Sequence, residues 1–155
     1  MVTIRRNTPM LDKIAKTSKY LKKHGVKVGI FGENATKEQE GVTIGYYAKC
    51  LNFGTSKMEK KSFFYDAVQS RESVKIIKAK QQELLKEGFL GELTGEEILT
   101  QLGIFVQQRI KSYILNNEYK NKPGTIARKK RNKENTLREN DFLLNSISFE
   151  IVTLS

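Results

Sequence analysis

The chain has no tryptophan, one cysteine, one histidine and two prolines among its 155 residues. Each scarcity removes a class of chemistry. A lone Cys50 excludes an internal disulfide and any zinc site built on several cysteines. A lone His24 leaves little for imidazole acid–base work or metal ligation. No run approaches the ~20 apolar residues that span a bilayer, and the mean hydropathy is -0.51. The first thirty residues hold Pro9 and eight Lys/Arg without an apolar core, so no secretory signal is expected. Phosphate-cradling Gly-rich patterns and the nucleophile elbow are missing as well. Gly29-Ile30-Phe31-Gly32 has two glycines only and reads as turn chemistry at a strand end. The expectation is one domain over residues 1–155, not an enzyme, with no cofactor or metal.

What the chain does have is positive charge, +11 overall and unevenly placed. Residues 1–27 carry eight basic residues against Asp12, and residues 119–138 carry eight against Glu134. The middle, 28–118, balances twelve bases with twelve acids, while 139–155 holds three acids and no base. Two basic segments thus flank a neutral centre. Clustering of this kind suits a polyanion or an acidic protein surface. It suits a solvated face equally well, and Lys/Asn/Ile-rich usage also follows from an AT-rich genome.

Hydrophobic spacing divides the chain into elements. Thr8-Pro9 reads as a helix start, and Leu11, Ile14, Ala15, Ser18 and Leu21 define a helix over 9–23. Its lysines fall mostly off that face, giving a basic N-terminal helix within 1–24. His24-Gly25 should end it, with Gly25 in the left-handed position after the last turn and His24 compatible with the helix dipole. Val26 to Phe31 reads as a strand and 33–41 as a loop. Thr43 to Leu51 reads as a short helix, ended by Gly54 at positive φ. Ser62 should cap a helix carrying Phe63, Phe64, Ala67 and Val68 that runs to residue 87, with a kink near Ser70–Ser73. Thr94-Gly95-Glu96-Glu97 has the spacing of a capping box and opens a second long helix to Asn116-Asn117. The segment 119–138 is a basic loop holding a helical turn or two at most. Leu137 to Asn145 is short and mixed, and Ser146 to Val152 alternates as a half-buried strand. The fold class is therefore α+β: a small antiparallel or mixed sheet from 26–31 and 146–153, packed against two long antiparallel helices plus the N-terminal helix.

Candidate sites are few. Arg128, Lys129, Lys130, Arg131 and Lys133 are the candidate DNA-channel or docking surface, because phosphate neutralisation needs clustered cations. Only Tyr119 is near them as a stacking aromatic, and no helix-turn-helix, RRM or zinc-finger pattern accompanies them. Sequence-specific readout is not expected. Cys50, on a helix face, reads as a small core residue rather than a nucleophile. Glu96-Glu97 sit where acids are routine at a helix start. Phe63, Phe64, Phe89 and Leu90 serve either the core or contacts between subunits, with Phe63 and Phe64 assigned to the core.

Two segments carry a family resemblance. Tyr46-Tyr47-Ala48-x-x-Leu51-Asn52-Phe53-Gly54-Thr55 resembles the A-x-x-x-E-F-G-T stretch of tailed-bacteriophage head–tail joining or tail-completion (neck) proteins. Lys60-Lys61-Ser62-Phe63-Phe64 follows where that family has a basic link and a Phe-led helix. Thr125-Ile126-Ala127-Arg128-Lys129-Lys130 resembles the family's T-I-x-x-K turn. Leu137 and then Leu143-Leu144-Asn145-Ser146-Ile147-Ser148-Phe149-Glu150-Ile151 resemble its closing S-I-x-Y-x-V segment, and Val26 to Ile30 its opening strand. The chain departs from the pattern at Asn52, where the family has glutamate, and in a link that lacks prolines. The marker residues are Phe53, Gly54, Thr55, Ser146 and Ile147. The resemblance implies a non-enzymatic virion protein in the phage neck or tail, made in the host cytoplasm. It implies a homo-oligomeric ring that meets portal, adaptor or tail-terminator proteins, with contact to packaged DNA and none to membrane. The alternative from composition alone is a small basic protein that binds DNA without sequence preference. A third reading, a small enzyme using Cys50, stands behind both.

Overall fold

The computed structural model describes residues 8–39, 41–116, 119, 123–128 and 141–155. Lys129, Lys130, Arg131 and Lys133 of the candidate surface lie outside the described residues.

The chain is mixed α+β, as its periodicity requires. Helix α1 (Thr8–Lys23) runs straight into strand β1 (His24–Gly29). Helix α2 (Gly32–Thr36) and a two-residue pair, β2 (Glu38–Gln39) with β3 (Val42–Thr43), lead to α3 (Ile44–Phe53). A π-helical turn at Tyr65–Gln69 precedes the long helices α4 (Arg71–Phe89) and α5 (Gly95–Leu115). Short helices α6 (Pro123–Arg128) and α7 (Phe142–Ser146) precede β4 (Ser148–Thr153).

Helix α5 is the centre of the molecule. Ile98, Leu102, Val106, Ile110 and Ile114 are all buried along it, at steps of four. Around it pack β1, β4, α1, α4 and the π turn. Strands β1 and β4 form an antiparallel ribbon in the register His24↔Thr153 to Gly29↔Ser148. Residues directly opposite share a face, so Val26, Val28, Phe149 and Ile151 point one way. The Phe149 ring identifies that way as α5, for a Cβ on Gly103 would stand 2.4 Å from it. Gly103 lets the ribbon approach the helix. Gln107 Nε2 adds a hydrogen bond to Ile147 O at 2.7 Å.

Helices α4 and α5 are antiparallel. Gly88 lies against Ile98 at the turn, and Ser73 lies against Arg109 at the far end. The capping box at Thr94 is present: its hydroxyl accepts from Glu97 N, and the Glu97 carboxylate accepts from Thr94 N at 2.8 Å. These bonds hold the Glu97 carboxyl below its usual range.

Several expectations are corrected. Gly25 is no left-handed helix end; it is the second residue of β1 and pairs with Val152. Strand β1 thus starts two residues earlier than expected and ends at Gly29. Residues 33–41 are not a loop throughout, since α2 and β2 occupy most of them. The helix expected from Ser62 to 87 is two pieces, because Ser70 adopts an extended conformation (ψ 151°) and caps α4. Ser146 ends α7 and Ile147 follows it, so the closing strand begins only at Ser148. By contrast, the helical turn or two expected in the basic segment 119–138 is present as α6.

Candidate functional site

The Phe53-Gly54-Thr55 stretch closes α3. Gly54 has φ 77°, a conformation that side-chain-bearing residues avoid. It is also crowded: an added Cβ would lie 3.0 to 3.2 Å from the Met58 and Lys60 backbone. Thr55 then pairs with Met58, with Thr55 N donating to Met58 O at 2.8 Å. Asn52 Oδ1 accepts from Phe64 N at 3.2 Å, which satisfies an orphan amide where the next helical segment starts. The residue that departs from the family pattern therefore acts as a cap for the Phe-led helix.

The closing marker residues are structural too. Ser146 Oγ donates to Phe142 O at 2.6 Å, and Ile147 is 1% exposed. Helix α3 packs against α7, so the two motif segments meet in space although about 90 residues part them. Phe53, at 68% exposure, and Thr55 are the exposed markers. Phe63 is wholly buried and Phe64 half-buried, whereas Phe89 and Leu90 are more than half exposed. The first pair belongs to the core, as expected. The second pair is surface.

Arg128, the described member of the basic cluster, is exposed at the end of α6, with Nε donating to Gly124 O at 3.0 Å. A second basic surface is better defined. Lys13, Lys16, Lys19, Lys22 and Lys23 are all exposed along α1, and Lys27 is exposed on β1.

Sequence reasoning missed two features. One is a polar network under the π turn. A π turn shifts the carbonyl ladder, and here side chains take up the carbonyls. Arg109 Nε donates to Ala67 O at 3.0 Å and Nη2 to Ser73 Oγ at 2.9 Å. Ser73 Oγ donates to Asp66 O at 2.8 Å. Ser70 Oγ lies 2.9 Å from Asp66 O and 2.8 Å from Ser73 Oγ, and its one proton serves one of them. Tyr119 donates to the Asp66 carboxylate. Burial, then this bond, pushes the Tyr119 phenol well above its usual range. The network joins the π turn, α4, α5 and residue 119.

The other feature is a groove of about 710 Å3 between β1, α3, the π turn and α4, floored by α5. Its walls are mostly apolar, with Phe53 and Tyr65 at the rim and Lys49 and Lys60 as the charged members. Among the described residues no aspartate or glutamate lines it.

Catalytic candidates do not converge. The His24 ring stacks on Tyr20 at 4.0 Å, with Nδ1 3.0 Å from Tyr20 O. Cys50 is half-buried beside Tyr46, whose phenol it pushes upward through a hydrogen bond. Among the described residues no group of three or more His, Cys, Asp or Glu could hold a metal, and no helix is long and apolar enough to cross a membrane.

No family model, curated protein or solved structure matches the chain.

Proposed function

We propose that this chain is a structural protein of a tailed-phage virion, part of the head–tail connector or a tail-completion component. One observation carries the reading: segments that bear the resemblance at the two ends of the chain pack against one another. The opening strand β1 pairs with the closing strand β4, and α3, which bears the first motif, lies on α7, which bears the second. Motifs that specify a scaffold behave this way.

The reading includes assembly into a homo-oligomeric ring in the neck, against portal, adaptor or tail-terminator proteins and around packaged DNA. Exposed lysines on α1 would give diffuse, salt-sensitive attraction to DNA. Electron microscopy of lysates from a phage lacking the gene tests it. Filled heads beside free, complete tails are expected. Normal infectious particles would overturn it.

The second reading, a free-standing DNA-binding protein without sequence preference, is favoured by the row of exposed lysines on α1. Charge reversal at Lys129, Lys130 and Arg131 separates the two. A connector whose cluster only faces the channel should still dock on its partner ring, whereas a DNA-binding protein should lose its function.

A further inference from the structure

Among the described residues the ribbon has two strands and two open edges, and one of them borders the groove. Leu154 N donates to Lys23 O at 2.7 Å, one step beyond the His24↔Thr153 pair. Opposed residues in an antiparallel pair alternate between bonded and non-bonded types. Lys23/Leu154 is bonded, so Gly25/Val152 and Lys27/Glu150 are bonded as well. The backbone N–H and C=O of Val26 and Val28 consequently point outward, along the sheet, away from β4. Among the described strands none pairs with that edge.

Outward from it lies the groove. Val26, Val28 and Ile30 line its near side, and Leu102, Val106 and Ile110 of α5 lie in it. The ribbon covers one strip of α5 and α4 covers another, and the groove is the strip between them. A third strand would fit there. It would take the free hydrogen bonds of β1 on one side and set alternate side chains on α5. Val26 to Ile30 is about 13 Å of edge at ~3.3 Å per residue, enough for a segment of about five residues. Charge selects the segment. Lys49 and Lys60 are the charged lining residues, with no carboxylate beside them among the described lining residues.

We propose that the groove is a strand-addition site, which takes an extended segment of a partner protein carrying alternate apolar side chains and at least one acidic one. The inference stands on the open edge and the groove. It does not rest on the neck reading.

The test uses the full chain and a displayed library of random twelve-residue peptides. The expected enriched sequences alternate apolar residues and include Asp or Glu. A synthetic peptide of the most enriched sequence should shift the amide resonances of Val26, Val28 and Ile30. N-methylation of alternate peptide amides, the set facing β1, should weaken binding at least tenfold, while methylating the other set should not. Lys49→Glu with Lys60→Glu should weaken it roughly three- to tenfold, and replacing the peptide's acids with lysine should restore it. Enrichment of helical spacing or of basic peptides, or no enrichment, overturns the proposal. So does displacement of the peptide by single-stranded DNA without shifts at β1, or protection of the β1 edge by a second copy of the protein.

Discussion

The α4–α5 pair is held differently at its two ends. At the turn, contact depends on missing side chains. A Cβ on Gly88 would meet Ile98 Cδ1 at 2.6 Å, and one on Gly95 would meet Tyr20 at 2.8 Å and Thr17 O at 3.1 Å. At the other end, Arg109, Ser73, Ser70, Asp66 and Tyr119 make a hydrogen-bonded network around a π turn. The first end resists added volume, above all at Gly95. The second resists loss of a donor. One helix pair thus shows close packing and polar satisfaction as separate means to the same end.

The largest break should come at the polar end. Arg109→Met keeps much of the volume but leaves Ala67 O without its charged donor. A loss of about 3 kcal/mol is expected, read in thermal denaturation as a fall of roughly 6–12 °C for a chain of this size. An unchanged melting temperature would mean that solvent replaces the guanidinium there. Gly95→Ala comes next. Tyr20 is pinned by its stack on His24, and Thr17 O is backbone, so the new methyl has nowhere to go. The expected cost is about 1–3 kcal/mol. Ser70→Ala removes the N-cap of α4, which accepts from Ser73 N, at about 1 kcal/mol. Gly88→Ala should be nearly neutral, since Ile98 Cδ1 is the movable end of a side chain and alanine favours helix. Measuring the two glycine variants side by side sharpens the comparison, for equal losses would mean that the backbone carbonyl near Gly95 does not matter.

The polar end also has a pH dependence on the alkaline side. Tyr119 has its folded pKa raised by burial and by Asp66. Its contribution is complete below about pH 10, where unfolded tyrosine titrates, and is lost as pH rises toward the folded value. Urea unfolding at pH 9 to 11 should show Tyr119→Phe less sensitive to alkali than the parent chain. A parallel decline in both would assign the alkaline loss elsewhere.

How much of this was legible depended on range. The capping box at Thr94 and the positive φ of Gly54 could be read because each is settled within four residues or so. The two long helices could be read because their apolar periods are long. The π turn could not. Its stability comes from Arg109, forty-two residues from Ala67, and nothing local in Tyr65–Gln69 announces that partner. Gly25 misled because glycine after a helix usually turns the chain, and here strand pairing with Val152 decided its conformation instead. The candidate site was legible in a different sense. Phe53, Gly54 and Thr55 were expected where a helix breaks, and they are at the end of α3, whereas Ser146 and Ile147 were expected in the closing strand and instead end and follow α7. The groove drew its walls from β1, α3, the π turn, α4 and α5, so no single stretch could announce it.

The β1–β4 ribbon has a kinetic consequence. Its strands sit near opposite ends of the described chain, with His24 opposite Thr153. Closing so long a loop is entropically slow. During synthesis β1 is made before β4, and it must wait for more than a hundred further residues before its partner exists. Over that interval both its margins are bare. A message cut short before codon 148 would yield a chain whose first strand never finds its mate, and aggregation rather than partial function is the expected fate of such fragments.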